Sequence, residues 1–172
     1  LNPPIGIIST DKKRLYSVGF LRNILSKVLS KGGVDLKRIS KKLGVSNEII
    51  IDLLGELKAV KSEESGWYYS QEMWYGAPSL IERFLGDSYY RIKDIALKLR
   101  MHPKDIASKL PDDTVISTDK SIPLDERFVY SPSAIEKLRS SFATLLDRNG
   151  VLLANEIAGN LGIPVSDLIL VV

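Results

Sequence analysis

Apolar residues recur at helical spacing behind three Tyr-Ser dipeptides, Tyr16-Ser17, Tyr69-Ser70 and Tyr130-Ser131. In each case a strand-like apolar run gives way to a helical period at the serine. A serine there suits a helix N-cap, because its hydroxyl accepts from an orphan amide of the first turn. Pro132, directly after Ser131, suits the first helical position. Behind Ser17 the predicted core face is Phe20, Leu21, Ile24, Leu25, Val28 and Leu29, ended by Gly32-Gly33. Behind Ser131 it is Ile135, Leu138, Phe142, Leu145 and Leu146, ended by Gly150. The middle copy is interrupted by Gly76-Ala77-Pro78, so it either kinks or keeps its regular part from Pro78 to Leu85.

A second helix follows each closing glycine, in VDLKRISKKL, YRIKDIALKL and VLLANEIAGNL. Ile39 and Leu43, Ile95 and Leu99, and Ile157 and Leu161 keep the i, i+4 spacing that places both members on one face. The turns GVS, RMH and GIP come next, and each leads to a third helix at Ser46, Pro103 or Pro164. Helix, turn and helix in register three times is a far stronger signal than one such match. After the third helix of the first copy, AVKS and GWYYS read as two short strands around a polar turn, and TVIST and RFVYS repeat them around a longer tip. GIIST and RLYS echo this hairpin at residues 6 to 17.

The fold expected is α+β, mainly helical, built as tandem winged-helix repeats in which a helix-turn-helix is followed by a β-wing. Residues 1–16 are expected to be the remnant wing of a preceding module, 17–69 winged helix 1, 70–130 winged helix 2, and 131–172 an incomplete winged helix 3. A chain that begins and ends in mid-module predicts a fragment of a longer array, or one completed by a partner.

The chain has 172 residues, no cysteine and one histidine. Disulfide frameworks, thiolate catalysis and Cys-based zinc sites are excluded. His102 cannot form a histidine cluster, and it reads as a cap or surface residue before Pro103. Loop carboxylates such as Asp112-Asp113 and Asp125-Glu126 have no partner base and no metal-ligand spacing. No catalytic or metal site assembles, and no cofactor or small-molecule substrate is implied, so the protein reads as a non-enzyme. No window has the length and apolarity of a membrane span, and no signal peptide is apparent, so a soluble, cytoplasmic location is expected.

The total charge of +3 is uninformative, but its distribution is not. Residues 11 to 42 hold ten cations, Lys12, Lys13, Arg14, Arg22, Lys27, Lys31, Lys37, Arg38, Lys41 and Lys42, against Asp11 and Asp35. That segment carries +8, leaving −5 for the rest of the chain. Lys37 with Lys41, and Arg38 with Lys42, are like-charge i, i+4 pairs that cost a few tenths of a kcal/mol each, a repulsion that an anionic partner relieves. These ten residues are the candidate nucleic-acid-binding set; the competing reading is a solvated lysine-rich surface.

The third helices fit base reading poorly. The first exposes Glu48, Asp52 and Glu56, the second offers His102, Lys104 and Lys109 with Asp105, and the third is expected to expose mainly Asp167. None carries the Arg or Asn set that reads base edges. Backbone-directed contact with structured RNA or a ribosomal surface fits better. The aromatic run Trp67, Tyr68, Tyr69, Trp74 and Tyr75 offers faces for stacking on unpaired bases, but strand alternation puts at least part of it in a core or at the seam between copies.

Two families are similar at the level of this pattern. VYSPSAIEKLRSSFATLLDRNGVLLANEIAGNLGIPVSDL resembles the last module of the selenocysteine-specific elongation factor, whose C-terminal winged helices bind a messenger RNA hairpin. TVISTDKSIPLDERFVYSPSAIEKLRSSF is similar to the N-terminal winged-helix array of the ufmylation-system E3 ligase, a scaffold without a catalytic cysteine that completes a half-module with a partner protein. The first resemblance implies RNA or ribonucleoprotein as partner in translation. The second implies a protein-interaction scaffold whose terminal half-modules a partner completes; under a scaffold reading the acidic and apolar third helices, including outward Ile51, would dock partner modules.

Overall fold

The computed structural model describes residues 5–172; residues 1–4 of the expected remnant wing lie outside the described residues. The chain is mainly helical α+β, with three successive apolar cores and small antiparallel sheets between them.

A hairpin of β1 (Ile7–Ile8) and β2 (Leu15–Tyr16) leads into the first helical unit. There α1 (Val18–Leu29), α2 (Leu36–Leu43) and α3 (Asn47–Glu56) close around Leu21, Leu25, Ile50 and Leu54. The hairpin of β3 (Val60–Lys61) and β4 (Tyr68–Tyr69) follows, with Val60 opposite Tyr69, and Val34 bridges to Tyr68. The second unit is α4 (Gln71–Leu85), β5 (Tyr89–Arg91), α5 (Ile92–Leu99), α6 (Pro103–Ser108), β6 (Val115–Ile116) and β7 (Phe128–Tyr130). Its three strands lie in the order β5-β7-β6. The third unit is α7 (Pro132–Asn149), α8 (Ala154–Leu161) and a 3-10 helix, Val165–Leu170.

Each Tyr-Ser junction is a helix start for a local reason. The Ser17, Ser70 and Ser131 hydroxyls accept from the amides of Phe20, Met73 and Ala134, at 3.1, 3.2 and 3.1 Å. Each satisfies one orphan donor of a first turn. Ser46 precedes α3 without such a bond. The α4 helix passes through Pro78 without ending, so it is not confined to Pro78–Leu85.

Strand alternation makes the two later hairpins shared walls. Tyr68 enters the first core while Tyr69 enters the second; Val129 enters the second while Tyr130 enters the third. Successive side chains of a strand point to opposite faces, so one short strand closes one core and founds the next. The helical period overstates burial at three positions. Phe20 is 52% exposed, lying against the Tyr16 ring at the hairpin rather than in the core. Leu145 and Leu146 are exposed because α7 runs past the last core residues that could cover them.

Two buried carboxyl groups fasten hairpins to the units that follow them. Asp105, the third residue of α6, accepts from Tyr69 Oη at 2.5 Å, from Ser65 Oγ at 2.5 Å, and from Ser62 Oγ. Asp167 accepts from Ser117 Oγ at 2.6 Å and Tyr130 Oη at 2.8 Å. Both aspartates are fully buried, which corrects their placement among the exposed positions of the third helices: the preceding hairpin lies over the first turn and brings hydroxyls to it. In the first unit Ile49 holds the equivalent position, and Tyr16 Oη donates instead to the Leu43 carbonyl at 2.9 Å.

Burial, followed by the neighbouring carboxyl oxygens of Asp105, raises the Tyr69 phenol above its ordinary value of 10.0; burial and Asp167 do the same for Tyr130. Above pH 10.0 the unfolded tyrosines lose protons that the folded ones keep, so stability falls as pH rises. The expected slope is about 1.4 kcal/mol per pH unit per tyrosine. Urea unfolding across the alkaline range should show it, and a Tyr69→Phe, Tyr130→Phe protein should show a flatter dependence from a lower starting stability.

Candidate nucleic-acid interface

All ten cations of residues 11 to 42 are exposed. The structure divides them into one assembled group and several separate positions.

The assembled group lies along the exposed face of α2 and on the hairpin that docks at its C-terminal end. Asp35 starts that helix by accepting from the amides of Lys37 and Arg38, at 3.0 and 3.4 Å, and Gly44 ends it in the left-handed region at φ 65°. Ile39 and Leu43 face the core, which turns Lys37, Arg38, Lys41 and Lys42 to solvent. Lys41 and Lys42 occupy the last turn, where the helix dipole favours positive charge. The β1–β2 hairpin docks at this end. Thr10 donates its amide to the Gly44 carbonyl at 2.6 Å, and Tyr16 donates to Leu43. Arg14 lies over the Tyr16 ring, 5.7 Å from its centroid, with its guanidinium beside Gly44. Lys12 and Lys13 sit on the turn of the same hairpin, Lys12 with a left-handed φ of 58°.

Asp11 shares this turn but is tied inward. Its Oδ1 accepts from Ser9 Oγ at 2.5 Å and from the Lys13 amide at 3.1 Å. The Ser9 hydroxyl, then the Lys13 amide, hold its carboxyl below the ordinary aspartate value. It therefore stays ionised at neutral pH and offsets one charge of the group.

The remaining three cations stand apart from α2's exposed face. Arg22 is committed to α3, with Nε donating to Glu56 at 2.9 Å, and so is neutralised. Lys27 lies on the face of α1 opposite the core residues Leu21, Leu25 and Leu29, and Lys31 follows the helix end. Among the described residues, Arg22 is the one member of the ten in an ion pair.

The third helices present little to an anion. Glu48, in the first turn of α3, is held below its ordinary value by its own amide and then by the Ser46 hydroxyl, so it keeps negative charge where a groove-entering helix meets phosphate. In α6, His102 is an N-cap: its Nδ1 accepts from the Lys104 amide at 3.2 Å, and its ring meets Trp67 edge-on. Trp74 stacks on Tyr69 beneath Lys109, so of the aromatic run Tyr75 is the exposed member.

Among the described residues no group of three or more His, Cys, Asp or Glu is placed to hold a metal ion. No helix among them is long and apolar enough to cross a membrane. Compared with known proteins, the sequence matches no family model and no curated protein.

Proposed function

We propose that the chain is a tandem winged-helix array that acts without catalysis and binds structured RNA, or a ribonucleoprotein surface in the cytoplasm, through phosphate contacts of its first unit. The observation that carries this reading is the docking of the β1–β2 hairpin, which bears Lys12, Lys13 and Arg14, at the end of α2 whose last turn bears Lys41 and Lys42, none of these five in an ion pair among the described residues. Packing like charges this way has a cost that an anionic ligand removes. The acidic first turn of α3 argues against groove entry by that helix and for backbone contact from α2 and the hairpin. The hairpins β1–β2, β3–β4 and β6–β7 take the part of the wings.

Salt dependence tests this reading. About six phosphate contacts give a log-log slope of affinity on salt between about −4 and −5 for a hairpin RNA. A slope near zero, or no binding at low salt, contradicts it.

A second reading, a protein-interaction scaffold, is favoured by one observation. The third unit leaves the apolar side chains of Val151, Leu153 and Ile169 exposed, which RNA binding does not need. Under that reading a nuclease-resistant protein partner covers this end and affinity responds weakly to salt.

A further inference from the structure

Between the first two units lies a cleft of about 370 Å³, inside the range of roughly 300 to 1,000 Å³ typical of small-ligand sites. Its walls come from distant parts of the sequence. Arg38 and Lys42 come from α2, Trp67 from just before β4, and Arg100 from the C-cap of α5 in the second unit.

Arg100 is the unusual member. It ends α5 in the left-handed region, at φ 54° and ψ 45°. The two equivalent helices end on Gly44 and Gly162, at φ 65° and 67°, which is the residue that this backbone favours. An arginine held in a conformation that glycine serves better is a strained position, and such strain collects where a side chain is needed. Its carbonyl accepts from the Gly33 amide at 2.8 Å, which ties the position to the rim of the cleft.

Trp67 is fixed as well. A Cβ on Gly33 would stand 2.7 Å from Trp67 Cε3 and 2.5 Å from Tyr69 Cε1, so the bare backbone of Gly33 lets both rings close over it. The ring packs half-buried against the margin of the second core, edge-on to His102 at 5.3 Å, and its remaining exposed part lines the cleft. The one acid in the wall, Asp35, has its Oδ1 engaged by two backbone amides of α2. Three cations and an indole therefore line this cleft together with one carboxylate, Asp35, whose Oδ1 is held by the helix amides; Arg100 also borders a neighbouring cavity on the side of Asp94.

We infer that this cleft binds one unpaired nucleotide of an RNA chain, its base against Trp67 and its phosphate between Arg38, Lys42 and Arg100. Aromatic faces accept any unstacked base, and the planar guanidinium fork matches phosphate oxygens. The inference rests on the RNA reading of the first unit and adds to it a preference for looped or single-stranded segments over continuous duplex.

The test titrates the full chain with hexa-adenylate and with a blunt RNA duplex, following tryptophan fluorescence and affinity together. Hexa-adenylate is expected to quench emission in the wild type and much less in Trp67→Phe, and the duplex is expected to leave it nearly unchanged. Arg100→Gly removes the cation while giving the backbone the residue it favours, which offsets the lost contact of the Arg100 stem with Gly32, so its melting temperature should stay close to wild type. Its ratio of single-strand to duplex affinity should nevertheless drop about tenfold. An unchanged ratio, or equal quenching in Trp67→Phe, overturns the cleft assignment while duplex binding upholds the RNA reading. Absence of binding to both probes overturns the two together.

Discussion

Replacing Asp105 with alanine is expected to cost about 3 to 5 kcal/mol of unfolding free energy, the largest single-residue effect in the chain. The side chain accepts from Ser62, Ser65 and Tyr69, and all of its surface is buried. Ser65 is half-buried and can turn to water. Ser62 and Tyr69 cannot, and each would keep a buried hydroxyl proton without an acceptor, besides the void left by the carboxyl group. The substitution should also loosen the β3–β4 hairpin from α6, because Ser62 and Tyr69 belong to one and Asp105 to the other.

Asp167→Ala supplies the comparison that makes this specific. It accepts from Ser117 and Tyr130 through Oδ2 alone, and its Oδ1 is buried with no partner among the described residues. Alanine there removes two hydrogen bonds but also relieves an unsatisfied oxygen, so it should cost about half as much. Urea denaturation followed by circular dichroism checks the order. Equal destabilisation at the two sites, or a larger one at Asp167, would show that something other than hydroxyl pairing sets the stability of these seams.

Reversing the charge of α2, with Lys37→Glu, Arg38→Glu, Lys41→Glu and Lys42→Glu together, is expected to abolish binding to hairpin RNA at moderate salt. Each cation withdrawn from a phosphate lowers the salt slope by roughly one unit, and each new carboxylate adds repulsion. The fold should survive, since all four side chains point to solvent while Ile39 and Leu43 hold the helix to the core. The two in the last turn would then oppose the helix dipole at a cost of about 1 kcal/mol in total, too small to unfold the unit. A melting curve close to wild type with no retained RNA is the expected pair of results. Retained RNA would move the interface elsewhere.

The repeat was legible because its signals are local. A serine cap acts within one turn, and the alternation along Trp67-Tyr68-Tyr69 follows from strand geometry alone, so both register in a single sequence. Asp105 and Asp167 were not legible in the same way. An acid in a first turn is ordinarily solvated and favoured by the helix dipole, and only the hairpin folded over it converts it to a buried acceptor. The usable signal was the shared spacing: an aspartate three residues after the cap in the second and third units, with a serine and a tyrosine in the hairpin before it.

The candidate site divides along the same line. The charge of residues 11 to 42 is plain in the sequence, but Arg22 belongs to Glu56 across 34 positions, and the approach of the hairpin cations to α2 depends on Thr10 and Tyr16 meeting Gly44 and Leu43. Arg100 stood in plain view in the turn RMH, opposite glycines in GVS and GIP. Its meaning required the backbone angle and the far side of the cleft. Phe20, Leu145 and Leu146 show the converse, since helical period marks a face without saying whether a neighbour covers it.

The most direct measurement is to cross-link a bound hairpin RNA to the chain and identify the attached peptides. The account predicts attachment concentrated in the β1–β2 turn around Lys12 to Arg14 and along α2 from Lys37 to Lys42. RNA attached instead to α3 or to the third unit, or no attachment above background at low salt, would contradict it.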